Sequence, residues 1–350
     1  MQRIVLICLF FLFTTRVLPQ SGSGQLVQEG IALHDMGKYD AAIEKYNAAI
    51  NLDPLDYFAI YEKSYSLMAL RKFEEAEDLL KKILKECKEE QYRTKAYVNY
   101  GTLLDYQGKA KKSVDMYDKG IREYPLEQML YFNKGITLSG MQETEKAVDC
   151  FKQSVRLNPL HASSHNALGR MLMNSNRIAA VMSFFTFLLM EPEGERALQN
   201  YGTLNKLFMK GVSKGEDGSI VIGIDALLPD KKKKKEEDDF SAEDMLVSLL
   251  GASLSGHEDS LGIKTEADRL SYKMQLLIGM IDEKKGKGFY REFYMPMLAE
   301  IKEKNLLTTA CYIVMTSSGD PEIKQWLADN QDKVDEFYTW FKFYKWDGGK

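Results

Sequence analysis

At 350 residues, with 45% hydrophobic and 28% charged residues, the chain is long enough for two or three buried cores. Its balance is that of an ordinary globular protein, neither disordered nor membrane-embedded. The formal net charge is −4, and loss of residues 1–20, which hold Arg3 and Arg16 and no acidic residue, would make it −6. A general affinity for nucleic acid, which rests on clustered positive charge, is thereby excluded as an expectation.

The first twenty residues read as a signal peptide. Arg3 gives a positive start, Ile4 to Phe13 is an unbroken apolar run, and Thr14 to Gln20 is a more polar exit before the flexible-looking Ser21-Gly22-Ser23-Gly24. A bilayer-spanning helix needs roughly 20 apolar residues, and no later stretch approaches that length. The expectation is an exported protein without a transmembrane segment in the mature chain. It would be periplasmic or cell-envelope in a bacterium, and of the secretory route or extracellular in a eukaryote. The mature chain keeps Cys87, Cys150 and Cys311, an odd number with no CxxC and no metal-ligand spacing, so buried free thiols are expected.

From about residue 23 the chain repeats itself with a period near 34. Gly30, Ser64, Gly101, Gly135 and Gly169 hold one position, where a small residue lets two helices approach. Twelve residues on stand Ala42, Ala76, Ser113, Ala147 and Val181, and four further on Tyr46, Leu80, Tyr117, Phe151 and Phe185, large groups suited to filling the space between helix pairs. Pro54, Pro125, Pro159 and Pro192 close repeats where proline ends a helix. Asn200-Tyr201-Gly202-Thr203-Leu204 duplicates Asn99-Tyr100-Gly101-Thr102-Leu103.

This pattern resembles the tetratricopeptide repeat, a helix-turn-helix unit of 34 residues. Repeats start near residues 23, 57, 94, 128 and 162, with an insertion around Glu89 to Gln91 and a sixth first helix from Glu195. The resemblance implies an all-α superhelix, or solenoid, over residues 23–210, in which each helix pair covers its neighbour's apolar surface. It also implies a protein or peptide partner, held on a concave face lined by the first helix of each repeat. The family's lining positions fall on Phe58, Tyr61, Tyr65 and Met68, then Tyr106, then Phe132 and Ile136, then Asn166 and Arg170. The carboxylate clamp of chaperone-binding members needs lysine and asparagine where this chain has Val27 and Ile31. An aromatic groove instead suits an extended or helical segment with apolar anchors, unless the chain's own tail covers it.

Residues 211–240 read as an irregular charged linker. They contain a β-branched run that suggests a short hairpin near 219–228, then Lys231 to Lys235 beside Glu236 to Asp239, a solvated stretch. From 241 to 350 a helical C-terminal domain is expected, with helices near 241–254, 265–285, 289–304, 306–316, 320–330 and 332–346. Ser241/Asp244 and Thr265/Asp268 are spaced as helix caps, and Pro296 is placed to kink or divide the third helix. Phe184, Phe185, Phe187, Leu188 and Leu189 make the fifth repeat's second helix exceptionally apolar and offer these helices a docking surface.

Catalytic and cofactor motifs are not found: no GxSxG, no GxGxxG after a strand, no P-loop and no HExxH. His161 and His165 are four apart but lack a third ligand nearby, and they read as surface histidines. The sequence therefore reads as a non-enzymatic protein-interaction scaffold without a cofactor, its oligomeric state open. A hydrolase or transferase with its site in the C-terminal half, around groups such as His257, is the alternative.

Overall fold

The structure, a computed structural model, describes residues 22–210, 212–214, 220–222, 238–253, 259–281 and 287–346. The expected signal peptide, the lysine run with Glu236 and Glu237, and His257 lie outside the described residues. Among the described residues the fold is all-α, with one short hairpin, and the chain divides into two compact units, Met1–Pro125 and Leu126–Lys350.

The first unit holds three helix pairs: α1 (Gly22–Asp35) with α2 (Tyr39–Leu52), α3 (Tyr57–Ala69) with α4 (Phe73–Glu86), and α5 (Glu90–Tyr106) with α6 (Ala110–Glu123). The second helices show why they form. In α4 the residues buried are Ala76, Leu80 and Ile83, spaced four and three apart along one stripe. Glu74 and Glu75 sit in its first turn and Lys85 in its last, each favourably placed against the helix dipole. Gly22 to Gly24, expected to be flexible, open α1 instead, because Ser23 is buried and its hydroxyl donates to Asp56 Oδ2 at 2.5 Å. The same carboxylate accepts the Ala59 amide through Oδ1 and so caps α3.

Small residues make close helix contact possible. A Cβ built on Gly101 would lie 2.3 Å from the Tyr117 ring, which is itself buried. The insertion around Glu89 to Gln91 becomes an added turn at the start of α5, tied down by Arg93. Its guanidinium donates to the Leu84 and Cys87 carbonyls, to Glu123 and to the Tyr124 hydroxyl. Gly37 and Gly108 take a left-handed φ of 74° between paired helices, and Arg71 adopts φ 59° at the equivalent turn.

The second unit continues the pattern with α7 (Gln128–Gly140), α8 (Thr144–Leu157), α9 (Ala162–Leu172), α10 (Arg177–Met190) and α11 (Glu195–Met209). Here the expected register slips by one. Gly169 faces Phe184, not Phe185: a Cβ on Gly169 would come within 2.8 Å of the Phe184 ring. Helix α10 starts 15 residues after α9, where α8 starts 16 after α7, in keeping with the early Pro192. Every residue of α10 from Arg177 to Leu189 is buried, so this helix has no polar face.

The reason is the C-terminal layer: α12 (Ser241–Ser253), α13 (Glu266–Met280), α14 (Phe289–Glu303), α15 (Leu307–Val314), α16 (Pro321–Asp329) and α17 (Gln331–Phe343). Helices α12, α14 and α15 pack on α10, and α15, buried from Thr309 through Val314, also contacts α13, α16 and α17. On α17 the apolar stripe buries Phe337 and Phe341. Burial of a large apolar side chain is worth about 1.5–3 kcal/mol, and α10 supplies Phe184, Phe185 and Phe187 to this core at once.

Local details differ from expectation in instructive ways. The hairpin pairs β1 (Val212–Lys214) antiparallel with β2 (Ile220–Ile222), in register Ser213 to Val221, so its first strand lies upstream of the β-branched run. Thr265 and Asp268 form a complete capping box at α13. Ser241 does not cap α12; Asp239 Oδ1 instead accepts both the amide and the hydroxyl of Ser241. Helix α14 runs undivided through Pro296. Asp238 is buried rather than solvated, because its Oδ1 accepts the Tyr290 and Arg291 amides and caps α14 where Gly288 has no side chain to do so.

Candidate protein-interaction site

In the first unit α1, α3 and α5 lie side by side, so their shared face gathers the family's lining positions. Tyr65 is 47% and Tyr106 59% exposed, whereas Met68 at 4% belongs to the core. Phe58 and Tyr61 are half-buried. Phe58 stacks on Tyr92 with ring centroids 6.3 Å apart, and the Lys95 ammonium lies 5.6 Å from the Phe58 centroid and 5.2 Å from that of Tyr61. Burial, helped by the charge of Glu62, pushes the Tyr61 hydroxyl up to about 12. Tyr65 stacks on His34 at 4.8 Å, and His34 Nδ1 is 2.7 Å from the Ser66 hydroxyl. Desolvation lowers the His34 pKa and raises that of Glu62.

His34, Glu62 and Lys95 were not among the residues expected at the site. His34 holds the twelfth position of the first repeat and Lys95 the second of the third, so the same positional rule reaches both. Glu62 stands four residues after Phe58 and three before Tyr65 on α3, so helical geometry carries it onto the face they share.

In the second unit the expected residues separate. Ile136 is 45% exposed and Arg170 is exposed. Phe132 is half-buried, 5.9 Å from the Phe151 ring and edge-on to His161 at 4.7 Å. Asn166 is buried, and its Oδ1 has no hydrogen-bond partner among the described residues. The surface reading of the two histidines is corrected here. His161 is half-buried, and His165 is fully buried, its Nε2 2.8 Å from the Pro159 carbonyl and its Nδ1 2.7 Å from the Tyr294 hydroxyl. The carbonyl can only accept, so Nε2 donates to it and the Tyr294 hydroxyl donates to Nδ1.

The C-terminal helices thus attach to the repeats through α9's first turn and α10, with Lys152 and Arg156 of α8 also over the Phe289 ring. This attachment leaves Ile136 and Arg170 open. A second tie is Arg177, whose side chain is 3% exposed. It donates to Asp244 Oδ1 at 2.5 Å, to the Asp244 carbonyl, and to the Leu207 and Lys210 carbonyls.

Among the described residues no group of three histidine, cysteine, aspartate or glutamate side chains could hold a metal, and no helix is long and apolar enough to cross a membrane. Cys87, Cys150 and Cys311 are buried free thiols, and burial raises the Cys311 pKa. In the C-terminal layer a cavity of about 480 Å³ is lined by Lys304, Leu306, Glu336, Thr339 and Trp340.

Paired helices at this period, with small residues at the crossings and aromatic residues exposed on the first-helix side, define a repeat scaffold for protein interaction. Residues 30–63 match the family described as TPR repeat and residues 130–159 that described as tetratricopeptide repeat, so the repeat assignment holds for these two segments. No curated protein matches it significantly. Among solved structures it is similar to a thermophilic TPR protein of Thermus thermophilus, at 19% identity and TM-score 0.43, with 52% of this chain and 99% of that one covered. Pseudomonas aeruginosa pilF is similar at 16% identity and TM-score 0.44, covering 54% and 89%. MamA from Desulfovibrio magneticus RS-1 is similar at 17% identity and TM-score 0.39, covering 49% and 97%.

Proposed function

We propose that this protein is an exported scaffold of the cell envelope or secretory route that captures a polypeptide segment on the first-helix faces of its repeats. Phe58, Tyr61, Tyr65 and Tyr106 would provide the contacts in the first unit, and Phe132, Ile136 and Arg170 those in the second, with Asn166 behind them. The observation that carries this reading is the pair Tyr65 and Tyr106, exposed on first helices while their counterparts on second helices, Tyr46 and Tyr117, are buried. Tyrosine is an economical anchor, since it supplies a large rigid contact area at little entropic cost. Presenting it on a preformed helix array reduces the ordering cost of binding to that of the partner. Export rests on the layout of residues 1–20.

The test is co-purification from native extract with the full chain and with a Tyr65→Ala/Tyr106→Ala variant. Both residues are exposed, so the variant keeps its core. The bound polypeptides are expected to disappear from the variant; identical capture by both proteins refutes the site. Cell fractionation with N-terminal sequencing tests export, which a cytosolic protein retaining Met1 would refute.

A further inference from the structure

On the α1–α3–α5 face, two carboxylates belong to the helix turns that carry the stacked rings of His34 and Tyr65. Asp35 follows His34, and Glu62 is one turn before Tyr65 on α3. Neither carboxylate forms a hydrogen bond or ion pair with a described residue, and α1 and α3, which carry them, pack together at the His34–Tyr65 stack. The one cation that influences Glu62 is Lys95, and its ammonium already rests over the Phe58 and Tyr61 rings. The chain thus shows what its own aromatic residues attract here. An aromatic face rimmed by negative charge draws a cation whose apolar stem can lie along the ring. Next to that occupied position, Tyr65 is covered by His34 on one side and is 47% exposed.

We propose that the first unit selects partners carrying a basic side chain, arginine above lysine, which lies on Tyr65 with its charge between Glu62 and Asp35. The proposal rests on the reading of this face as a capture surface and names the partner's chemistry. Arginine is favoured because its planar guanidinium stacks on an aromatic ring while donating in plane to a carboxylate. An exposed ion pair alone would contribute little. The half-burial of Glu62 and the stacking surface are what make the site selective.

The experiment titrates the full chain against fluorescein-labelled, C-terminally amidated peptide pools that differ only in a fixed central residue: arginine, its neutral isostere citrulline, or glutamate. Flanking positions are randomised among alanine, leucine, phenylalanine and serine. Anisotropy is expected to show the arginine pool binding about tenfold more tightly than the citrulline pool. Asp35→Asn/Glu62→Gln should erase that preference and keep the circular dichroism spectrum. Equal binding of the arginine and citrulline pools that is still lost in Tyr65→Ala overturns the basic anchor and leaves the capture surface standing. Preference for the glutamate pool overturns it likewise. Absence of any Tyr65-dependent binding overturns the capture surface and the basic anchor together.

Discussion

His165 makes folding of the second unit depend on pH in a way that can be calculated. Its imidazole is fully buried between the Pro159 carbonyl and the Tyr294 hydroxyl, with Tyr294 edge-on at 5.5 Å and Trp346 at 6.0 Å. Burial pulls its pKa from 6.5 down to about 4, against the Pro159 bond, which raises it, while His161 adds a small further lowering. The folded state therefore holds the ring neutral, and the unfolded chain takes up the proton first. Stability fully present above about pH 6.5 is lost as pH falls towards 4. Between pH 7.5 and 5.0 the unfolded state gains about thirtyfold in relative population, or about 2 kcal/mol. The chain's three tryptophans, Trp326, Trp340 and Trp346, all lie in the C-terminal layer, so their fluorescence during urea unfolding reports on this region. The control is His165→Phe, which loses both hydrogen bonds and is less stable at every pH but cannot titrate at this position. The loss on acidification should be about 2 kcal/mol greater in the natural protein, His34 and His161 contributing equally to both. Equal pH dependence in the two would refute the assignment of a buried neutral imidazole.

Three further outcomes are expected. Gly101→Ala sets a methyl 2.3 Å from the Tyr117 ring and should cost at least about 2 kcal/mol in thermal or urea unfolding, because the crossing helices must separate. Arg177→Met keeps the stem but removes the hydrogen bonds to the Leu207 and Lys210 carbonyls and to Asp244; a loss of about 2 kcal/mol is expected. Limited proteolysis should cut it first near α12, and protection equal to the natural protein there refutes the tie. Gln142→Gly relieves a left-handed φ of 63° at the turn where Gly37 and Gly108 serve equivalent repeats, and should stabilise by about 0.5–1 kcal/mol, visible as a raised Tm.

The helix-pair architecture was legible because it is written locally and five times over. Each small residue and each large one recurs at its own spacing, and α3, α7, α9 and α11 start at residues 57, 128, 162 and 195, as the period predicts. The C-terminal helices were legible from apolar spacing and, for α13, from Thr265 and Asp268. What escaped depends on contacts distant in sequence. His165 is buried by Tyr294, which is 129 positions later. Asp238 leaves its charged run to cap a helix that starts at Phe289. The slip from Phe185 to Phe184 follows a one-residue change in the spacing between the starts of α9 and α10, too small to disturb a periodic pattern. At the candidate site the rule of positions reached Tyr65 and Tyr106, which are exposed, but could not tell that Met68 and Asn166 are buried, since burial depends on which neighbouring side chains fill the space.

Repeat proteins lengthen and shorten by duplicating whole helix pairs, which requires an end that still presents the standard stacking surface. Here α11 repeats the Asn-Tyr-Gly-Thr-Leu signature of α5, yet the next helix, α12, packs on both α10 and α11 and not as a standard second helix. With α10 sealed under α12, α14 and α15, a duplicated pair appended at this end would have no matching surface to stack on. Changes in repeat number among descendants of such a chain are therefore restricted to insertions and deletions upstream of α9, and the junction from α9 to α15 is inherited as a block.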